Sequence, residues 1–164
     1  MKRTLIACLA GGLCLPATPA LTQDENEGRR LAELAFNGLD TEGRGFINMS
    51  QYLRFGAEVF TSMDSDQDEL LTLAEFVNWD FGMKNVAEER GLVPSYETAL
   101  RVVYAFWDRN GDDQITSAEH GQSLALDFQR ADTDQDTLLT EAEFLGGFSV
   151  MVALRAALAP DVGQ

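Results

Sequence analysis

Three twelve-residue segments of this chain carry oxygen-bearing side chains at alternate positions and close with a glutamate. Positions 1, 3 and 5 hold Asp or Asn, position 9 holds Thr, and position 12 holds Glu. A hard divalent cation such as Ca²⁺ takes six to eight oxygen ligands at about 2.3–2.6 Å. Such a segment can supply them from these side chains and from the backbone carbonyl of position 7. The residue types and their spacing therefore predict calcium binding.

The three segments are called loops 2, 3 and 4, and each offers six candidate metal ligands. Loop 2 offers Asp64, Asp66, Asp68, Leu70, Thr72 and Glu75. Loop 3 offers Asp108, Asn110, Asp112, Gln114, Thr116 and Glu119. Loop 4 offers Asp132, Asp134, Asp136, Leu138, Thr140 and Glu143. Position 8 is aliphatic in each loop (Leu71, Ile115 and Leu139), and we expect it to point into the core and join a short β contact with another loop.

A fourth segment, loop 1, keeps the length of the pattern but not its chemistry. Its ligand positions are filled by Asp40, Glu42, Arg44, Phe46, Asn48 and Gln51. Arg44 places a cation where an oxygen is needed, and Gln51 lacks the carboxylate that would bind with both oxygens. We expect little or no calcium here, with weak binding left open. Gly45 and Ile47 keep the turn and the core contact, so the predicted role of loop 1 is to pair with another loop.

The chain contains an internal duplication with a fixed offset of 68 residues. The segment from Tyr104 to Phe144 repeats the segment from Phe36 to Phe76, and within each half the acidic unit recurs after 24 residues. We predict two lobes: residues 24–90 with loops 1 and 2, and residues 95–158 with loops 3 and 4. Gly91 to Pro94 is the expected break between them.

With three such loops inside a duplication, the chain resembles the EF-hand calcium-binding proteins, in particular bacterial-type exported ones with four loops. The resemblance covers about Leu31 to Phe148. It implies an all-α fold of helix-loop-helix repeats in two duplicated lobes, with short β contacts between loops. Plain solvated acidic turns would have no reason to keep the alternation and the closing glutamate.

The sequence departs from the family at position 6. Glu69, Asp113 and Thr137 stand where the family usually has glycine in a left-handed conformation. A residue with a side chain pays ~1–2 kcal/mol there, and Thr tolerates the conformation worst. Because 1.4 kcal/mol is tenfold in affinity, we expect dissociation constants of roughly 10⁻⁵–10⁻³ M, the range of extracellular modules.

The segments between the loops read as helices. Apolar residues recur at helical spacing before loops 1 and 3, Ser95 is the expected N-cap of the helix before loop 3, and one last helix is expected from Phe144 to Leu158. Only twelve residues separate loop 1 from loop 2 and loop 3 from loop 4. A single shared helix fits each connector best, although Gly56 could break the first one. The sequence leaves the pairing of the loops open.

Residues 1–20 have the features of a secretory signal peptide. Lys2 and Arg3 precede an apolar run, and a small-residue cleavage region ends at Ala20. Cys8 offers a weaker lipoprotein alternative. Both cysteines lie in this segment, so the mature chain is expected to lack thiols. We expect a secreted or periplasmic soluble protein without a membrane span.

The formal net charge of −15 disfavours nucleic acid and anionic membranes as partners. The single histidine, His120, has no Ser, Cys or second His beside it in a catalytic pattern, and no enzymatic activity is predicted. The leading interpretation is a calcium buffer or calcium-stabilised module. The alternatives are a calcium sensor that exposes an apolar groove to a protein partner, and a metal-dependent hydrolase. The sequence identifies no partner beyond calcium ions.

Overall fold

The computed structural model describes residues 23–158, with residues 23–29 and 31 described by their backbone alone. The predicted signal peptide, residues 1–20, lies outside this range. The described helices are α1 Gln23–Leu39, α2 Met49–Met63, α3 Leu73–Asn78, α4 Lys84–Glu89, α5 Val93–Trp107, α6 Ser117–Ala131, α7 Glu141–Gly147 and α8 Ser149–Leu158. The strands are β1 Phe46–Asn48, β2 Leu70–Thr72, β3 Gln114–Thr116 and β4 Leu138–Thr140. The fold is mostly helical with short antiparallel strand pairs, as expected.

Each connector between the loops of one half is a single continuous helix. In α2 the buried residues Tyr52, Gly56, Phe60 and Met63 are spaced by three or four positions, so they form one apolar face. Fifteen residues at 1.5 Å each give α2 a length of ~22 Å. Loops 1 and 2 therefore lie at opposite ends of α2, and loops 3 and 4 at opposite ends of α6. Gly56 does not break the helix.

Each loop pairs with a loop from the other half of the duplication. β1 of loop 1 is antiparallel to β4 of loop 4, with Ile47 opposite Leu139. β2 of loop 2 is antiparallel to β3 of loop 3, with Leu71 opposite Ile115. These four position-8 side chains are at most 1% exposed, which confirms that position 8 points into the core. The two halves thus share both sheets and one hydrophobic core cluster.

The helices α2 and α6 cross at equivalent positions of the two halves. Gly56 faces Leu124, its counterpart at the offset of 68, and a Cβ on Gly56 would overlap the Leu124 side chain. The rings on either side exchange partners, because the offset of 68 relates Tyr52 to His120 and Phe60 to Phe128. Tyr52 packs on Phe128 at 5.7 Å between ring centroids, and Phe60 packs on His120 at 5.4 Å. A missing side chain therefore permits the close approach that lets each half reach the loops of the other.

Two helix boundaries differ from the sequence prediction. The helix α5 begins at Val93 with Leu92 as its N-cap, so the expected N-cap at Ser95 is wrong. Pro94 stands in the first turn, where its missing N–H has no intrahelical partner to lose. Gly91 lies in the turn between α4 and α5 with φ +68°, whereas Val93 and Pro94 belong to α5.

The predicted last helix is divided in two. Phe148 is extended (φ −71°, ψ 112°) and separates α7 from α8. Gly147 precedes it and lies against the backbone of Ala131, where no Cβ would fit. The chain therefore turns at this close contact, and α8 runs back to pack along α5. No helix within residues 23–158 combines the length and the apolar character needed to cross a bilayer.

Candidate metal centres

Each acidic loop begins at the C-cap of one helix and ends in the first turn of the next. Asp64, Asp108 and Asp132, the position-1 residues, are the C-caps of α2, α5 and α6. The position-12 glutamates stand in the first turn of the exit helix, in capping boxes with the position-9 threonines. The T-x-x-E spacing can be recognised in the sequence as a capping box, although the sequence prediction did not use it. Entry and exit are therefore fixed by helix capping, and the acidic residues lie between them.

The carboxylates of loop 2 converge on a common centre. One oxygen each from Asp64, Asp66 and Asp68 lie within 4.8 Å of one another. Two oxygens on opposite sides of a Ca²⁺ ion are separated by up to about 5 Å, so the spacing fits such an ion. Backbone N–H groups orient the set: Asp68 donates to Asp64 Oδ1 at 3.2 Å, and Glu69 donates to Asp64 Oδ2 at 3.0 Å.

Glu75 reaches across loop 2 and joins its two ends. Its Oε1 accepts hydrogen bonds from the backbone and hydroxyl of Ser65, both at 3.0 Å. Its Oε2 accepts from the backbone and hydroxyl of Thr72 at 2.9 and 2.8 Å. These donors, led by the Thr72 backbone, lower the pKa of Glu75 to about 2. Glu75 is thus held ionised between the two ends of loop 2, with each oxygen accepting two hydrogen bonds, and it is not among the three residues whose oxygens cluster.

Loop 4 repeats this geometry. One oxygen each from Asp132, Asp134 and Asp136 again lie within 4.8 Å of one another. Glu143 accepts from Thr133 through Oε1 at 3.0 and 2.9 Å, and from Thr140 through Oε2 at 3.0 and 2.8 Å. Its pKa is lowered to about 2, first by the backbone of Thr140. The position-2 residues Ser65 and Thr133 were absent from the sequence prediction, although their hydroxyls set the position of the closing glutamate.

Loop 3 has the same arrangement with one amide in place of a carboxylate. The side chain of Asn110 donates to Asp112 Oδ2 at 3.0 Å and accepts from the Asp112 backbone at 2.8 Å. Asp108 accepts from the Asp113 backbone at 2.9 Å. Glu119 accepts from Thr116, whose backbone is the main cause of its lowered pKa, and from the Arg109 backbone at 3.2 Å. At its six ligand positions, loop 3 therefore has one carboxylate fewer than loop 2 or loop 4.

The position-9 threonines are hydrogen-bonded to the closing glutamates. In each of loops 2, 3 and 4 the threonine hydroxyl donates to the glutamate Oε2 at 2.8 Å. The threonine hydroxyl oxygen in turn accepts a hydrogen bond from the backbone N–H of the glutamate at 3.2–3.4 Å. The position-7 residues Leu70, Gln114 and Leu138 are the first residues of β2, β3 and β4. The strand pairs therefore hold the position-7 backbone at the edge of each loop.

Like charges are crowded in loop 2. Desolvation, followed by repulsion from Asp68 and the other carboxylates of the loop, raises the pKa of Asp66. A bound divalent cation would remove this penalty, because opposite charge at short range favours the ionised form. The donor set consists of hard oxygens without nitrogen or sulfur, which suits Ca²⁺ better than Zn²⁺ or Cu²⁺.

Several non-glycine residues in the loops adopt a left-handed backbone conformation, which side chains disfavour. Position 6 has positive φ at Glu69 (67°), Asp113 (64°) and Thr137 (71°), as the sequence led us to expect. Position 4 is also left-handed: Gln67 and Gln135 both have φ 62°, whereas loop 3 has a glycine there. Loops 2 and 4 therefore each carry two strained non-glycine residues, and the second of these was not predicted.

Loop 1 closes on itself without a cluster of acids. The Arg44 guanidinium donates to Gln51 Oε1 at 3.2 Å and pairs with Glu42 at 3.3 Å. The Gln51 amide donates to the Leu39 carbonyl at 3.1 Å. Asp40 accepts from the backbones of Arg44 and Gly45, and the first of these bonds is the main cause of its lowered pKa. Loop 1 thus carries a guanidinium that pairs with the residues at positions 3 and 12.

Comparison with known proteins adds no family, because no family model matches the chain and no curated protein matches it as a relative. Geometry and donor chemistry are therefore what mark these loops as candidate metal centres.

One residue outside the loops links two of them. Tyr104 in α5 places its hydroxyl 3.0 Å from the carbonyl oxygen of Leu71 in loop 2 and 2.7 Å from that of Asp113 in loop 3. The sequence prediction did not include this bridge, since the partners are 33 and 9 residues away. His120 is 3% exposed between the rings of Phe60 and Trp107, an environment that fits packing.

Proposed function

We propose that this protein binds Ca²⁺ in three EF-hand-type loops, namely loops 2, 3 and 4, with loop 1 as a structural partner of loop 4. The observation that carries the proposal is the convergence of three aspartate oxygens within 4.8 Å in loops 2 and 4, each closed by a glutamate whose pKa is lowered to about 2. Loop 3 has the same hydrogen-bond pattern with Asn110 at position 3. The helix-loop-helix repeat and the pairing of position-8 residues support the resemblance to EF-hand proteins.

The role that fits this set of loops is a calcium buffer or a module stabilised by calcium, without enzymatic activity. The strained residues at positions 4 and 6 weaken binding, so the sites suit a compartment rich in calcium. From the features of residues 1–20 we propose export and cleavage after Ala20, which gives a secreted or periplasmic protein. Mass spectrometry of the expressed full-length chain tests the cleavage, with Leu21 as the expected first residue.

Calorimetric titration of the metal-stripped mature chain tests calcium binding directly. We expect three Ca²⁺ ions per chain, with dissociation constants of roughly 10⁻⁵–10⁻³ M. Mg²⁺ at equal concentration is the control, because it demands a smaller octahedral site and retains its waters. Absence of Ca²⁺ uptake at millimolar levels, together with unchanged thermal unfolding, would contradict the proposal.

A calcium sensor is the second candidate, and one observation favours it. Val102, Phe106, Leu126 and Val152 are large apolar side chains exposed by 42–75%. A sensor would expose more apolar surface when calcium binds. Fluorescence of an apolar dye, measured with Ca²⁺ and then with excess chelator, separates the two roles. A calcium-dependent rise favours the sensor, and an unchanged or lower signal favours the buffer.

A further inference from the structure

The closing glutamates of loops 2 and 4 use their full acceptor capacity within the protein. An ionised carboxylate has about four lone-pair sites on its two oxygens. Glu75 accepts four hydrogen bonds at 2.8–3.0 Å, two on Oε1 from Ser65 and two on Oε2 from Thr72. Glu143 of loop 4 accepts four bonds of the same lengths from the equivalent residues. A glutamate that binds a cation with both oxygens needs a lone pair on each, so it must give up some of these bonds.

The hydroxyl groups at position 2 are the donors that are released most easily. Ser65 and Thr133 are exposed, and their hydroxyls donate to a glutamate ten residues away at 3.0 and 2.9 Å. An exposed hydroxyl can rotate and donate to water instead. The remaining donors are backbone N–H groups, which cannot rotate in this way, and the position-9 threonines, which the capping boxes hold in place.

Loop 3 closes without a hydroxyl at position 2, where it has Arg109. Within the described residues, Oε1 of Glu119 accepts only from backbone N–H groups, those of Arg109 at 3.2 Å and Asn110 at 3.4 Å. Its Oε2 accepts from the backbone and hydroxyl of Thr116 at 3.0 and 2.8 Å, as in the other two loops. The three acidic loops therefore share the donors to Oε2 and differ in the donors to Oε1.

We propose that Ser65 and Thr133 are positioning residues whose hydroxyls compete with calcium for the closing glutamate, an inference that rests on the proposed function. Each hydroxyl bond joins the start of its loop to the exit helix, because positions 2 and 12 are ten residues apart. The bond holds the loop ends together by protein contacts alone and is given up when both glutamate oxygens bind the ion. The two hydroxyls thus lower the calcium affinity of loops 2 and 4.

Calorimetric titration of the mature chain with Ca²⁺ tests this competition. Ser65→Ala/Thr133→Val removes both hydroxyls, and the two altered sites should bind Ca²⁺ about fivefold more tightly, the equivalent of a hydrogen bond of ~1 kcal/mol. Ser65→Thr/Thr133→Ser keeps a hydroxyl at each position and should retain the wild-type affinities. Ser62→Ala is the matched control and should also bind as the wild type does, because its hydroxyl donates to the Val59 carbonyl at 2.7 Å, outside the loop.

Thermal unfolding separates competition from a purely structural role. With excess chelator, Ser65→Ala/Thr133→Val should melt below the wild type, because both hydroxyl bonds are lost. With saturating Ca²⁺ this difference should vanish, because the wild type has then released the same bonds. An equal loss of stability under both conditions would overturn the proposal, and so would weaker calcium binding by this variant.

The titration also distinguishes this inference from the function on which it rests. If the wild type takes up Ca²⁺ and Ser65→Ala/Thr133→Val binds it with unchanged affinity, the competition is refuted while calcium binding stands. If the wild type takes up no Ca²⁺ at millimolar levels, the proposed function fails and the competition fails with it.

Discussion

The hydroxyl of Tyr104 lies 2.7 Å from the carbonyl oxygen of Asp113 and bridges from there to Leu71 at 3.0 Å. Asp113 is position 6 of loop 3 and Leu71 is position 8 of loop 2. One side chain of α5 therefore contacts the backbone of two acidic loops that also pair through β2 and β3. If both loops bind calcium as proposed, an ion that orders one loop reduces the ordering left for the other, and we expect positive cooperativity.

Tyr104→Phe should reduce the cooperativity between loops 2 and 3. The lost hydrogen bond is expected to lower the free energy of unfolding by ~1 kcal/mol, and the two sites should fill more independently in a calorimetric titration. Tyr96→Phe is the matched control on the same helix, because within the described residues no hydrogen bond joins the Tyr96 hydroxyl to a loop. If both variants keep the wild-type titration curve, the bridge does not couple the sites.

Asp132→Ala should reduce the number of bound calcium ions from three to two. It removes the position-1 carboxylate of loop 4, which orders the backbone at Asp136 and Thr137. Asp40→Ala makes the same change in loop 1, which we propose binds no ion because Arg44 stands at a ligand position, and should leave the stoichiometry at three. Calorimetry of both variants checks this, and a loss of one ion from Asp40→Ala would show that loop 1 also binds calcium.

Thr137→Gly should increase the calcium affinity of loop 4. At φ 71° a β-branched residue is strained by ~1–2 kcal/mol. The greater chain entropy of glycine in the unfolded state offsets roughly 0.5–1 kcal/mol of the gain from relieving this strain. A gain of several-fold, up to about tenfold, is expected. Asp113→Gly in loop 3 should gain less, because Asp tolerates this conformation better. The reverse order of the two gains, measured by titration, would refute the strain argument.

Gly56→Ala should destabilise the protein, whereas Gly121→Ala should stabilise it by ~0.5–1 kcal/mol. A Cβ at Gly56 would overlap Leu124, and a Cβ at Gly121 meets nothing within 4 Å. Both glycines stand inside helices, so the helix propensity gained is the same. Thermal unfolding checks the pair, and Leu124→Ala should partly rescue Gly56→Ala. Two equal gains in melting temperature would contradict the crossing geometry.

The calcium-free protein should lose stability as the pH falls from about 6.5 to 4. Burial lowers the pKa of His120 from 6.5 to about 4, so the unfolded chain binds a proton first and unfolding is favoured throughout this window. The loss is on the order of 3 kcal/mol at 1.36 kcal/mol per pKa unit. His120→Gln should flatten this part of the unfolding curve. Glu75 and Glu143 stabilise the folded state in their ionised form, and this stabilisation is lost at lower pH, between 4.5 and about 2.

Local pattern was sufficient to predict the loops, their position-8 core residues and the shared helices. Spacing within one loop fixes which side chains face one another, and twelve residues are too few for two helices and a turn. The pairing of the loops was not predictable, because nothing within a loop identifies the loop that its strand will meet. That choice depends on the length of α2 and on the gap that Gly56 leaves for Leu124.

The division of the last helix and the bridge from Tyr104 were missed for a related reason. Phe148 interrupts the helix where Gly147 meets Ala131, a contact across 16 residues that has no local signal. The Tyr104 hydroxyl finds its acceptors only after α5 and both loops are in place. Apolar periodicity cannot distinguish a tyrosine that merely packs from one whose hydroxyl is used.

The exchange of loop partners between the halves has a consequence for the origin of the chain. Half a molecule has two loops at opposite ends of one helix, and neither loop has a partner. Two identical copies related by a two-fold axis through the helix crossing would supply each other's partners, as in an ancestral homodimer. Fusion of the genes would then free the copies to diverge, so that a glycine on one side of the axis could face a leucine on the other.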